Sequence, residues 1–220
     1  MMEPILSGKA ICDVALPLVT RCLDEAARKG NGLRDRCVGY LRASQMVVDS
    51  LHKEFESLVE QAELCDLEDP KKVETLRINL HHYLYTNTLR PQLWTALEGM
   101  RDCRTVLQER VDSILNLPWG QNEKRGAVAE FVETTGQLET YMASLGYEYP
   151  SGVGLEMLNE LYEGVRGRSA RIETTLGDSK PVRIELKQIT SNPRLMKSLT
   201  ERRELTARIE RTINRIIESF

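Results

Sequence analysis

Residues 37 to 65 carry one apolar row that steps by four and three without a break. Its members are Cys37, Leu41, Ser44, Val48, Leu51, Phe55, Leu58, Ala62 and Cys65. That rhythm matches the turn of an α-helix and puts every member on one stripe. A helix from Leu33 to Cys65 spans roughly 50 Å at 1.5 Å per residue. Such a rod is stable in water only when its stripe is covered, so the chain must supply other helices or meet a partner.

The same rhythm recurs along the chain, and Gly and Pro punctuate it. A first helix from about Ile5 to Lys29 stops at Gly30-Asn31-Gly32, and Pro17 is expected to bend it. Asp69 is a natural N-cap with Pro70 in the first turn, opening a helix with Val73, Leu76, Leu80, Tyr83 and Asn87 on one side. Pro91 either kinks this helix or opens a fourth. The fourth carries Leu93, Leu97, Met100, Arg104, Leu107, Val111 and Ile114 and stops at Leu117-Pro118-Trp119-Gly120. Asn122 to Leu145 forms a fifth, with Val128, Phe131, Thr135, Leu138, Met142 and Leu145 as its stripe; Gly146 ends it. A weaker sixth, about Gly154 to Thr175, is interrupted by Gly164 and Gly167. The last follows Asn192-Pro193. Its row is Leu195, Leu199, Arg202, Thr206, Ile209, Ile213, Ile216 and Phe220.

The fold expected is all-α: a bundle of five to seven amphipathic helices with long antiparallel, coiled-coil-like pairs. Residues 1–176 form the bundle, 177–193 a linker or extended arm, and 194–220 a C-terminal helix that docks on the bundle or on a partner. Between 180 and 189, Val182, Ile184 and Leu186 alternate with Arg183, Glu185 and Lys187, which suits a short extended segment. Aromatics at only 5% agree with helix over sheet.

Charge and cysteine usage exclude several classes. Residues 112–163 hold nine acidic and two basic side chains, and residues 164–220 hold thirteen basic and seven acidic. In the last helix Glu201, Glu204, Glu210 and Glu218 are interleaved with the arginines and pair with them at helical spacing. Nucleic-acid binding calls for a denser basic patch with stacking aromatics, so it is disfavoured. The net charge of −3 with mixed signs disfavours an anionic membrane surface. The apolar start at Ile5–Leu23 is broken by Lys9, Asp13, Pro17 and Arg21, so it is neither a membrane span nor a signal core. Cys12, Cys22, Cys37, Cys65 and Cys103 are odd in number with no C-x-x-C, which suits reduced thiols in the cytoplasm or nucleus.

Chemistry-bearing residues are few. His52, His81 and His82 are the only histidines, and the adjacent pair point about 100° apart on a helix. No metal site, cofactor motif or catalytic constellation is expected. The spacing Arg77-x-x-x-x-His82 resembles the motif of HEPN-type ribonucleases, all-helical proteins that act as dimers. The resemblance covers six residues, and Ile78 stands where that family carries a polar residue. It implies that Arg77 and His82 would activate a ribose hydroxyl and stabilise a phosphate.

The leading expectation is a non-catalytic scaffold or adaptor that works through helix–helix contacts with a protein partner or a second copy. The residues expected to carry that contact are Leu195, Leu199, Ile209, Ile213, Ile216 and Phe220 of the last helix, with Trp119 in its loop.

Overall fold

The structure, a computed structural model, describes residues 8–66, 68–114, 122–144, 155–172 and 193–218. They form an all-α bundle of seven α-helices and one π-helical turn, with no strand among them. The helices are α1 (Gly8–Ala27), α2 (Leu33–Leu64), α3 (Pro70–His81), α4 (Leu89–Ile114), α5 (Asn122–Ser144), α6 (Leu155–Ile172) and α7 (Pro193–Glu218). The π turn, His82–Thr86, follows α3 directly. The segment 180–189, Trp119 and the Tyr147–Tyr149 loop lie outside the described residues.

α2 is the axis of the bundle and touches α1, α3, α4 and α7. Its row is buried from Cys37 through Ala62, and Cys65 at its end is half-buried. α1 and α4 run antiparallel to it, because residue numbers rise on one helix as they fall on the other; in α4, Gly99 faces Tyr40 and Cys103 faces Cys37. Cys12 of α1 meets Glu54, while Cys22 meets Met46. Arg203 of α7 meets Glu56, and Asn79 of α3 meets Gln61. α5 lies against α4 through Glu139, which pairs with both Arg101 and Arg104.

Local signals account for the element ends. Gly30 adopts φ of 105°, a conformation open to glycine, just beyond the end of α1. The Asp69 carboxylate accepts from the Lys71 N–H at 2.9 Å and caps α3, with Pro70 in the first turn. Pro17 lies inside α1, which is α-helical through it. Pro91 sits in the first turn of α4, where its missing N–H costs nothing. Of the five cysteines, all are free; Cys12, Cys37 and Cys103 are buried. No helix among the described residues is long and apolar enough to cross a membrane.

Two glycines sit at close helix approaches. A Cβ at Gly39 would lie 2.7 Å from the Cβ of Ala26, where α1 meets α2, and one at Gly99 would run into the Tyr40 ring. Alanine normally favours a helix over glycine by about 1 kcal/mol. At Gly99 the clash reverses the sign, so Gly99→Ala is expected to destabilise by about 1–3 kcal/mol. Gly164 in α6 has open space around its Cβ position. Gly164→Ala is expected to stabilise by about 0.5–1 kcal/mol. Thermal denaturation of the two variants checks this, and shifts of equal sign would contradict it.

Candidate functional site

The π turn is the feature that builds the site. A π turn bonds i to i+5 and admits one more residue than an α turn, which re-aims the side chains that follow. His81 and His82 diverge there. His81 makes tilted ring contacts with Tyr85 and Tyr162, with centroids at 5.4 and 5.8 Å, on the α6 side. His82 turns toward α2, and its Nδ1 lies 2.9 Å from Oε1 of Glu54. The chain leaves the turn at Asn87 in an extended conformation, and the Asn87 side-chain oxygen Oδ1 accepts from the Leu89 N–H at 2.9 Å, capping α4.

Glu54 is the unusual residue. It is 0% exposed and stands in an apolar setting with Leu51, Phe55 and Leu58. A carboxylate removed from water is costly unless it is paired and hydrogen-bonded. Three groups converge on it. Asn87 donates from Nδ2 to Oε2 at 2.6 Å, His82 faces Oε1, and the Cys12 thiol points at Oε2 from 3.6 Å. One ligand atom each from Cys12, Glu54 and His82 all lie within 4.8 Å of one another. α1, α2 and the π turn thus meet in one polar cluster inside the bundle.

The thiol is not poised as a nucleophile. Burial, reinforced by the neighbouring Glu54 carboxylate, pushes the Cys12 pKa up to about 12. A thiol in that setting stays protonated at neutral pH, whereas nucleophilic cysteines sit beside cations that stabilise the thiolate.

A second polar layer adjoins the cluster. Arg202 of α7 is 0% exposed; its guanidinium lies over the Phe55 ring at 4.0 Å and donates to the Tyr83 hydroxyl at 3.0 Å. Arg90 donates to the Tyr83 carbonyl at 3.2 Å. Burial raises the pKa of the Tyr83 phenol, so that group stays neutral. This layer joins α2, α4, α7 and the π turn.

The residues singled out in the sequence are distributed differently. Arg77 makes a two-pronged ion pair with Glu74 of its own helix at 2.5 and 2.8 Å. His82 is held by Glu54, so each member of the Arg77–His82 spacing has a separate carboxylate. Ile209 and Ile213 are buried within the chain, on the helix that packs against α2 and α5. The side chains of Leu195, Leu199, Ile216 and Phe220, and Trp119 as a whole, lie outside the described residues. His52 pairs with Glu56 at 3.4 Å.

Cys12, Glu54 and Asn87 were not expected to act together. They are 42 and 33 residues apart, on separate elements. One signal was available. Glu54 sits three after Leu51 and four before Leu58, and an acid in that setting marks a buried charge in need of partners.

The chain matches no protein-family model, no curated protein and no solved structure.

Proposed function

We propose that the protein is a non-catalytic helical scaffold or adaptor that engages an amphipathic helix of a partner protein. The observation that carries this reading is the two-sided character of α1. Its inner row, Cys12, Ala15, Val19, Leu23 and Ala26, is buried in the bundle. On another face Val14 is 71% exposed and Leu18 52%. Half-buried Ile11 precedes them at the same three–four spacing, and the Arg21–Glu25 ion pair continues the row. A helix apolar on two faces has more oily surface than one neighbour covers.

The remaining geometry agrees with binding rather than turnover. A groove of about 460 Å³ at the α1–α2 hairpin is lined by Glu25, Arg34, Asp35 and Arg42 with Cys22 and Asn31. Its opposed charges are suited to pairing with one another. Arg77 and His82 are each engaged with their own carboxylate, so no observation favours RNA cleavage over binding.

A photo-crosslinking residue at position 14 of the full chain, beside a control at exposed Asp24, tests the reading. The expected result is a discrete protein adduct from position 14 alone. Covering a valine and a leucine contributes about 3 kcal/mol together at the low end. The double variant Val14→Glu with Leu18→Glu should therefore weaken binding of the purified partner roughly 100-fold, with an unchanged circular-dichroism spectrum. Identical crosslinking from both positions, or unchanged affinity in the double variant, would overturn it.

A further inference from the structure

We propose that Cys12, Glu54 and His82 bind a single zinc ion, with Asn87 as the positioning residue of the carboxylate. This inference stands independently of the scaffold reading, since it concerns the interior of the bundle and not the outer face of α1.

The donor set selects the metal. A thiol, an imidazole and one carboxylate suit zinc, whereas magnesium and calcium take oxygen donors. Zinc–sulfur bonds of about 2.3 Å and zinc–nitrogen or –oxygen bonds of about 2.0–2.2 Å give tetrahedral edges of roughly 3.3–3.7 Å. The Cys12 Sγ lies 3.6 Å from Oε2 of Glu54, the oxygen that Asn87 holds, and one ligand atom from each of the three residues lies within 4.8 Å of the others, so small side-chain rotations close the edges on Oε1. The His82–Glu54 edge, 2.9 Å as a hydrogen bond, needs to open by a few tenths of an ångström.

Charge supports the same assignment. Glu54 is wholly buried, and its direct partners are an amide, a thiol and an imidazole. Zinc with one thiolate, one carboxylate and a neutral imidazole is electrically balanced. One proton leaves the Cys12 thiol on binding, and a second leaves His82 where the ring starts as imidazolium; no electron is transferred. Asn87 supplies the outer hydrogen bond that metal-bound carboxylates use to hold their orientation, and its own oxygen is anchored by the Leu89 N–H. The His82 side chain is 17% exposed, so the site reaches solvent on that side, where water completes the tetrahedron. The three ligands come from α1, α2 and the π turn, so the ion clamps the first helix to the bundle.

The test uses the full chain, stripped with a chelator and titrated with cobalt(II) as a spectroscopic probe. The expected result is one equivalent bound, a thiolate-to-cobalt charge-transfer band, and its loss when one equivalent of zinc is added. Cys12→Ser should abolish the band, and Glu54→Gln should weaken binding at least about tenfold. Cys22→Ser with Cys65→Ser, which alters the two half-buried thiols, should leave it intact. If Cys12→Ser does not fold by circular dichroism, His82→Gln decides in its place. No band at one equivalent, a band unchanged in Cys12→Ser or His82→Gln, or one lost with Cys22 and Cys65 would overturn the proposal.

Discussion

Replacing Arg202 with alanine is expected to remove about 3–5 kcal/mol of folding stability, the largest effect of any single substitution considered. Three losses coincide. A fully buried long side chain leaves a cavity, and its surroundings relax only in part. The Tyr83 hydroxyl loses a donor at 3.0 Å inside the core. The Phe55 ring loses the cation that sits 4.0 Å from its centroid. Arg202→Met separates volume from charge. It fills most of the space with an apolar stem and should cost about 1–2 kcal/mol, because buried ionic groups exchange for apolar ones more cheaply than they are deleted. Urea denaturation of both variants measures this. A cost under about 1 kcal/mol for Arg202→Ala would mean that α7 adds little to the fold. Equal costs would mean that the charge, not the packing, is what Arg202 contributes.

Asn87→Ala is expected to cost about 2–4 kcal/mol, as the sum of two separate terms. An oxygen of the buried Glu54 loses its 2.6 Å donor, worth about 1–3 kcal/mol, and α4 loses its cap, worth about 1 kcal/mol. Asn87→Asp distinguishes the terms. The substituted side chain still caps α4, but it sets a second carboxyl against Glu54. That carboxyl is pushed above its unfolded value of about 3.9, so the folded chain binds the extra proton more tightly than the unfolded one. Stability relative to wild type is then lost as pH rises above about 4 and regained as pH falls through the raised folded value. Denaturation with chelator present should therefore show a smaller deficit at pH 5 than at pH 8. A deficit independent of pH would place the carboxyl away from Glu54.

How much of this was legible in the sequence depends on the range of the interaction. The α2 row from Cys37 to Ala62 is the buried row, and in α4 Leu93, Leu97 and Met100 are buried as their spacing required. Asp69 caps α3 and Gly30 follows the end of α1 as their residue types predict. Even Arg202 and Thr206, odd members of an apolar row, are buried where the four–three rhythm put them. These features depend on residues within a few turns of one another, where the 3.6-residue period decides which side chains share a face.

Beyond the apolar-row position of Glu54 itself, the cluster around it was not legible, and the reason is physical. The spacing of Val73, Leu76, Leu80, Tyr83 and Asn87 reads as one continuous helix. The chain instead widens into a π turn at His82, and this brings His82 and Asn87 to Glu54. Nothing local distinguishes a histidine aimed at a carboxylate on another helix from one aimed at water.

Among the described residues, the order along the chain thus settled which parts are helical, where most of them stop and, for α2, α3, α4, α5 and α7, which side turns from water, since backbone geometry and local burial act over short spans. Which helices adjoin was left to the folded whole. Apolar stripes attract one another with little direction, so the pairing is chosen by close fits such as Ala26 against Gly39 and by polar groups that find their partners only after the helices have met.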